Sequence, residues 1–302
     1  MRAVVFLRWP EPCFRANAGD LDYLRSLLPP TAEVIEAKTE RQFLKALPEA
    51  THAIVWYFRE EWFARAPKLK AVATPAAGRE LVALDPTGRV QVRFGGFHGA
   101  IMSESAVAFI LGWARGFFLQ QPEAWPRKWM GDKCREVAGS KAIILGFGKV
   151  GQAIGEKLTA LGVEVEGYSR HRPLPLGKLD CDWFVLALPS DTGTDDLIDA
   201  KLLARLPRRC VIVNVGRGNC IDEAALARAL KTKRLAGAYL DVLKYEPHYR
   251  RCYGFSEWNR KTSSIFLEGK IPNAIVMPHA AAFSPRYVQR CFEELKRERF
   301  FK

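Results

Sequence analysis

Four polar side chains in the second half of the chain have the types that acid–base chemistry on a carboxylate substrate requires. Each lies at or just beyond the end of a short apolar run: Arg217, Asp241, Glu246 and His279. An Arg binds a carboxylate through paired hydrogen bonds, and a His beside a Glu is favoured as imidazolium and transfers a proton near neutral pH. Taken singly, each residue also has an ordinary structural role. Their shared placement at strand ends favours reduction of a 2-keto acid.

A second group of residues predicts a dinucleotide site. The apolar run 142–145 reads as a buried strand, and Gly146, Gly148 and Gly151 after it fit a G-x-G-x-x-G turn that opens a helix with helical periodicity from 152 to 161. Lys149 and Val150, within the turn, are predicted to contact the dinucleotide. In such a turn the first glycine permits the tight bend, the second admits a pyrophosphate, and the third lets the helix pack closely on its strand. The alternative is a plain strand-to-helix connection.

The segment Ser169-Arg170-His171-Arg172 predicts which dinucleotide is used. It follows the second strand of this unit, 163–168, where an acidic residue usually binds the ribose 2′-hydroxyl of NAD. Here Ser169, Arg170 and Arg172 stand in its place, and guanidinium groups bind a phosphate. The segment therefore favours NADP, with NAD possible, over the alternative that these are ordinary loop charges.

Length and composition limit the remaining choices. The chain has 302 residues, enough for two domains, and its hydrophobic fraction of 48% and charged fraction of 26% are those of a globular protein. We find no apolar run near the length of a membrane span and no export signal, so we expect a cytoplasmic protein without a membrane contact. The seven cysteines form no C-x-x-C pair, which argues against a disulfide framework and a metal site.

The net charge of +13 has two interpretations. It is compatible with nucleic-acid binding, because clustered basic residues neutralise phosphates. The basic residues are scattered, however, and only the last helix gathers several of them. We therefore favour a generally basic surface that attracts an anionic coenzyme and an anionic substrate, with nucleic acid as the less favoured partner.

Alternating short strands and amphipathic helices predict an α/β fold with two doubly wound parallel-sheet domains. In the first half we predict strands at 3–7, 53–57, 70–73 and 90–94, with helices at 20–28 and 40–47. The loop 74–78 follows a strand and is either a ligand loop or a simple connection. A helix capped by Ser103 carries the chain into the second domain.

The second half continues the alternation. We predict strands at 183–188, 210–215, 238–242 and 274–277, helices at 199–206 and 222–230, and a last helix within 285–302 that returns to the first domain. The aromatic segment Trp125–Trp129 is either an oligomer contact or a loop folded on its own domain. The stretch 248–271 is too long for a minimal connection and is expected to be a surface excursion.

At this point the chain resembles the D-isomer-specific 2-hydroxyacid dehydrogenase family. Four blocks carry the resemblance: 146–151; 181–189, ending in Leu188-Pro189; 214–218 with Asp222-Glu223; and 237–242 leading to Glu246-Pro247 and Pro278-His279. The resemblance implies that Arg217 binds the substrate's carboxylate and carbonyl, that His279 is the acid/base, and that Glu246 sets its proton affinity. It also implies cofactor contacts at Leu188, Pro189, Val215 and Asp241, and substrate contacts at Trp56, Ala77 and Gly78.

Within the family the chain looks most like the glyoxylate/hydroxypyruvate reductase branch. This implies NADPH-driven reduction of a small 2-keto acid to the D-2-hydroxy acid in a cleft between a flavodoxin-like substrate domain (1–98 and 285–302) and a Rossmann dinucleotide domain (99–284), in a homodimer. Two features depart from the family pattern: Arg79 replaces an acidic residue, and the span from Glu246 to His279 is long. The alternative class is a non-catalytic redox sensor or corepressor that binds NAD(P).

Overall fold

The computed structural model describes residues 1–79, 81–119, 134–191, 193–246, 264–268, 271 and 273–301. Its chain divides into two compact units. Unit 1 comprises Met1–His98 and Phe283–Lys302, and unit 2 comprises Gly99–Ala282. The segment Trp125–Trp129 and most of the excursion 248–271 lie outside the described residues, so the two interpretations of the first and the role of the second stay predictions.

Unit 1 is built on a parallel five-stranded sheet in the order β2-β1-β3-β4-β5. This is the flavodoxin-like order. The inner strands are buried on both faces, as expected when helices cover both sides of a parallel sheet. The strands are β1 Arg2–Phe6, β2 Glu33–Glu36, β3 His52–Val55, β4 Ala71–Thr74 and β5 Gln91–Phe94.

Three helices belong to unit 1: α1 Ala18–Leu27, α2 Glu40–Ala46 and α8 Tyr287–Arg297. A reciprocal capping box between Asn17 and Asp20 starts α1. The amphipathic α8 buries its apolar face and bonds to α1, where the Tyr23 hydroxyl donates to Glu293 at 3.0 Å. The C-terminal segment is thereby fixed to the N-terminal part of the chain.

Unit 2 contains a parallel six-stranded sheet in the order β11-β10-β9-β8-β6-β7. Alternate residues of β8 enter different cores, since Trp183 and Val185 pack on one face and Phe184 and Leu186 on the other. The direction of winding reverses between β6 and β8, the position where open α/β sheets bind ligands. The strands are β6 Lys141–Leu145, β7 Glu164–Tyr168, β8 Trp183–Leu186, β9 Val211–Asn214, β10 Gly237–Leu240 and β11 Ala274–Val276.

The helices of unit 2 cover both faces of this sheet. They are α3 Gly99–Ala114, α4 Lys149–Ala160, α5 Ala200–Leu203, α6 Glu223–Lys231 and α7 Ile265–Glu268. Residues of α3 and α4 join the core that contains Trp183, whereas residues of α5 and α6 join the core that contains Phe184. The sheet is thus doubly wound.

These observations confirm the predicted α/β class with two doubly wound parallel sheets. Two local predictions were wrong. The edge strand β2 was missed, because its four residues Glu-Val-Ile-Glu are only half-buried or exposed and carry little apolar signal. Ser103 does not cap α3, which begins at Gly99; its hydroxyl instead donates to the Ala100 carbonyl at 3.2 Å, inside the helix.

Candidate active site

The glycine turn after β6 forms the first part of the site. Gly146 has φ of +98°, a conformation that disfavours any side chain, and a Cβ there would lie 2.5 Å from the Ala187 carbonyl oxygen. A Cβ on Gly151 would lie 2.3 Å from the Gly146 oxygen, so this glycine lets α4 pack directly on its strand. The first and third glycines of the predicted turn are therefore required by close backbone contacts.

Gly148, unlike Gly146 and Gly151, has open space where a side chain would lie. A Cβ at this position would have no heavy atom within 4 Å, although Gly148 is the N-cap of α4 and supplies no side-chain cap. The first-turn N–H groups of any helix lack intrahelical acceptors, and with the helix dipole they attract an anion. The open space at Gly148 fits the close approach of a pyrophosphate, with Lys149 and Val150 beginning the helix beside it.

The loops that follow β6, β8 and β9 lie against one another through backbone contacts. A Cβ on Gly216 would lie 2.6 Å from the Leu188 nitrogen, just as Gly146 contacts Ala187. Thr194 closes the loop after β8, with its hydroxyl 3.0 Å from the Pro189 carbonyl oxygen. Val215 is fully buried and donates its N–H to the Leu186 carbonyl at 3.1 Å. Leu188, Pro189 and Val215 therefore lie on adjoining loops beside the glycine turn.

The basic segment after β7 is a tight turn. Ser169 and Arg172 exchange two backbone hydrogen bonds, at 2.8 and 3.1 Å, which projects Arg170 and His171 outward. Arg172 lies over the Tyr168 ring, 5.1 Å from its centre. The Arg170 side chain is 81% exposed and forms a 3.0 Å ion pair with Asp191 in the loop after β8. Two exposed guanidinium groups thus lie at the end of the strand next to the glycine turn.

Asp191 was not among the residues predicted from the sequence. Its carboxylate accepts the Gly193 N–H at 3.0 Å, and its own N–H donates to the Thr194 hydroxyl at 3.0 Å. The spacing Asp-x-x-Thr is typical of a side-chain-stabilised turn and could have indicated a fixed carboxylate here. That it would meet Arg170 depends on the sheet topology.

Beyond β10 and β11 the structure brings the predicted acid–base pair together. The His279 Nδ1 atom lies 2.9 Å from Glu246 Oε2, and the side chains are 28% and 19% exposed. An ionised carboxylate only accepts hydrogen bonds, so Nδ1 carries the proton of this contact and Nε2 is the ring nitrogen that does not face Glu246. The other oxygen, Glu246 Oε1, accepts the Leu243 N–H at 3.1 Å, which fixes the carboxylate.

Asp241 holds the backbone around His279. Its carboxylate is 1% exposed and accepts the N–H groups of Ala280 and Ala281 at 2.9 and 3.0 Å, while its carbonyl accepts the His279 N–H at 2.8 Å. His279 itself has φ of +55°, which a residue with a side chain rarely adopts. Burial raises the pKa of Asp241, although the Ala281 N–H and the charge of His279 act in the opposite direction.

Arg217 lies in the loop after β9 and is half-buried. Its carbonyl accepts hydrogen bonds from the Asn214 amide at 3.2 Å and the Cys220 thiol at 2.9 Å, and its Nη1 donates to the Gly216 carbonyl at 3.0 Å. Burial raises the pKa of the Cys220 thiol to about 12, so it stays a neutral donor. The backbone that presents Arg217 is therefore rigidly tied.

Gly218 connects the Arg217 loop to the Glu246 loop. A Cβ on this residue would lie 2.0 Å from the Leu243 carbonyl carbon and 2.5 Å from the Lys244 nitrogen. Glu223 supports the same loop from α6, because its carboxylate accepts the Lys244 N–H at 2.8 Å and the Ser264 hydroxyl at 2.7 Å. Arg217, Glu246 and His279 consequently lie at one edge of the sheet in unit 2.

The predicted substrate contacts in unit 1 have different surroundings. Ala77 and Gly78 lie in the loop after β4, which is held by a 2.9 Å bond from the Gly95 N–H to the Ala76 carbonyl. Trp56 is 4% exposed and donates its indole N–H to the Phe14 carbonyl at 2.8 Å. Trp56 also packs against the rings of Trp9 and Phe14, and its role as a substrate contact stays a prediction.

Two features are absent from the residues that the structure describes. Among them, no group of three or more His, Cys, Asp or Glu side chains is arranged to hold a metal ion. No helix in that part of the chain has the length and apolar character needed to cross a membrane.

Comparisons with known proteins identify the family of this chain. Residues 107–281 match the sequence model of the D-isomer specific 2-hydroxyacid dehydrogenase, NAD binding domain. A putative 2-hydroxyacid dehydrogenase of Haemophilus influenzae is 31% identical over 255 residues, which cover 74% of each chain. A glyoxylate reductase of Pyrococcus horikoshii is 27% identical over 284 residues, covering 83% of this chain and 80% of the other.

A solved structure supports the same fold. The NAD complex of a D-isomer specific 2-hydroxyacid dehydrogenase from Lactobacillus delbrueckii ssp. bulgaricus superposes with a TM-score of 0.78 at 17% identity, covering 99% of this chain and 96% of the other. The match over more than half of the chain, together with the Arg217 loop and the His279–Glu246 pair at the sheet edge, shows that this chain belongs to the D-isomer specific 2-hydroxyacid dehydrogenase family of NAD(P)-dependent oxidoreductases.

Proposed function

We propose that this enzyme reduces a small 2-keto acid of the glyoxylate or hydroxypyruvate type to the D-2-hydroxy acid with NADPH. The observation that carries the proposal is the 2.9 Å contact between His279 Nδ1 and Glu246 Oε2, because it leaves Nε2 as the proton-exchanging atom beside the coenzyme-binding edge. Relatives named as glyoxylate reductases support the substrate class.

The residues in this unit fit a nicotinamide dinucleotide. The open space at Gly148 and the start of α4 at Lys149 suit the pyrophosphate, and the turn from Ser169 to Arg172 offers two exposed guanidinium groups to a 2′-phosphate. In the same proposal the loops that carry Leu188, Pro189, Val215 and Asp241 border the coenzyme. When bound, the nicotinamide supplies the hydride that reduces the keto carbon.

The side chains of the enzyme supply the remaining steps. Arg217 binds the substrate carboxylate and stabilises the negative charge that develops on the carbonyl oxygen. His279 gives the proton at Nε2 to that oxygen, and Glu246 stabilises the imidazolium before the transfer. Asp241 keeps His279 in place through its bonds to Ala280 and Ala281. The family resemblance assigns the backbone at Ala77 and Gly78 to the substrate carboxylate, and it also implies a homodimer. The cytoplasmic location stays an expectation from the sequence.

The proposal is tested by initial-rate oxidation of NADPH, and separately of NADH, with glyoxylate, hydroxypyruvate, pyruvate and phenylpyruvate. We expect faster turnover with NADPH and with the smaller keto acids. Binding of NADPH without reduction of any keto acid would leave the chain as a coenzyme sensor.

Two variants assign the chemistry to residues. His279→Ala should lower kcat by about a hundredfold or more, the usual contribution of a general acid, with little change in KM. Arg217→Ala should damage both kcat and KM, since it removes ground-state and transition-state contacts. Arg208→Ala is the matched control, because it removes the same charge from an exposed position before β9. Wild-type kinetics in either site variant would exclude that residue from the mechanism.

A further inference from the structure

Asp191 is the one anionic side chain that the described structure places in an ion pair with the basic turn after β7. Its Oδ2 atom lies 3.0 Å from Arg170 Nη2, while Arg172 lies over the Tyr168 ring. The pair is at the surface, so its members gain little stability from each other. The main consequence of the pair is therefore the negative charge that it places beside Arg170.

The position of Asp191 is fixed by its own loop. Its other oxygen, Oδ1, accepts the Gly193 N–H at 3.0 Å, and Thr194 is buried with its hydroxyl bonded to the Asp191 backbone. The same loop begins at Ala187 and Leu188, which contact the glycine turn through Gly146. The carboxylate is thus anchored to the part of the sheet edge that carries the dinucleotide signature.

We propose that Asp191 sets the choice between NADP and NAD, an inference that rests on the proposed coenzyme site. Its carboxylate competes with a 2′-phosphate for Arg170 and repels that phosphate, because both groups are anions on one guanidinium. The ribose 2′-hydroxyl of NAD is neutral and meets no such repulsion. Asp191 therefore lowers the affinity for NADP and so reduces the preference for NADP over NAD that the two arginines create.

The expected change in NADPH affinity is modest, because the charges involved are exposed to water. Repulsion between a carboxylate and a phosphate dianion across one guanidinium group, screened at physiological salt, amounts to about threefold to tenfold in affinity. Asp191→Asn removes the charge, and asparagine keeps both an oxygen for the Gly193 N–H and a preference for turns. We expect NADPH to bind about threefold to tenfold more tightly to this variant, with NADH affinity unchanged within about twofold.

The experiment is titration of the full-length protein with NADPH and with NADH, followed by nucleotide fluorescence without any keto acid. Asp195→Asn is the matched control, since it removes the same charge from an exposed residue of the same loop whose carboxylate bonds to Asn219 instead. It should leave the NADPH to NADH affinity ratio unchanged. Thermal unfolding of both variants checks that the fold is retained.

The outcomes separate this inference from the proposed function. Weaker NADPH binding in Asp191→Asn, or an equal change for both nucleotides, overturns the inference. Arg170→Ala tests the coenzyme site separately from the role of Asp191. A selective loss of NADPH affinity in Arg170→Ala supports the coenzyme site, even when Asp191→Asn has no effect and the inference about Asp191 fails. Failure of the wild-type protein to bind either nucleotide overturns the proposed function and the inference together.

Discussion

Replacing Gly218 by alanine tests whether the Arg217 loop and the Glu246 loop act as one unit. The new methyl carbon would lie 2.0 Å from the Leu243 carbonyl carbon and 2.1 Å from its oxygen. Real Cβ contacts stay beyond 3.0 Å, so the two backbones must separate by about 1 Å. Neither segment can give way by a side-chain rotation, because both contacting groups belong to the main chain.

The structure sets the expected magnitude. Overpacking of this kind costs about 1 to 3 kcal/mol of unfolding free energy. A displacement of about 1 Å between Arg217 and the Glu246–His279 pair should lower kcat/KM about a hundredfold, since catalytic groups must be held in a narrow geometry. Nucleotide binding should change little, because the glycine turn and Arg170 lie on other loops.

The assay combines steady-state reduction of glyoxylate, NADPH fluorescence titration and urea unfolding. Gly148→Ala serves as the stability control, since a Cβ there would have no heavy atom within 4 Å. Wild-type kcat/KM in Gly218→Ala would refute the reasoning that the contact between the two loops positions the catalytic groups. Loss of nucleotide affinity equal to the loss of kcat/KM would refute it as well.

Two other predictions concern single residues of unit 2. Gly148→Ala should change the unfolding free energy by less than about 1 kcal/mol, because the Gly148 φ of −88° suits alanine. The same variant should weaken NADPH binding, because the new methyl group fills the space that the pyrophosphate needs. Unchanged NADPH affinity would place the coenzyme elsewhere. Burial raises the pKa of Asp241 from 3.8, so its folded form binds the proton more tightly and its contribution to stability declines as pH rises through the folded pKa. The unfolding free energy of Asp241→Asn relative to wild type, measured by urea denaturation, should therefore increase as the pH rises above 3.8, and a difference independent of pH would contradict it.

Local sequence patterns determined most of the architecture. Apolar runs such as 142–145 and 183–186 are long enough and apolar enough to predict buried parallel strands, and the glycines after the first predict a tight turn. The weak strand Glu33–Glu36 escaped prediction because it is a half-buried edge strand whose pairing with β1 comes from the assembled sheet. The helix start at Gly99 escaped as well, since Ser103 offered a more obvious cap.

The candidate catalytic residues were predicted by type and by their position after strands. Their geometry was not, because Glu246 and His279 are 33 residues apart and meet only when β10 and β11 pair in parallel. The left-handed backbone of His279 and the bonds from Asp241 to Ala280 and Ala281 also belong to the folded chain. The close approach of Leu243 explains why residue 218 is a glycine, which the sequence motif alone does not explain.

The partners of Arg170 and Trp56 show which properties depend on tertiary structure. The sequence predicts that Arg170 follows a strand in the place of an acid, which indicates phosphate binding. Only the folded sheet brings Asp191, 21 residues further on, within 3.0 Å of that guanidinium group. The fold likewise brings the buried Trp56 to its partner, because its indole N–H donates to the carbonyl of Phe14, 42 residues earlier. Residue types and strand order are local properties of the chain, whereas partners and exposure depend on which strands become neighbours.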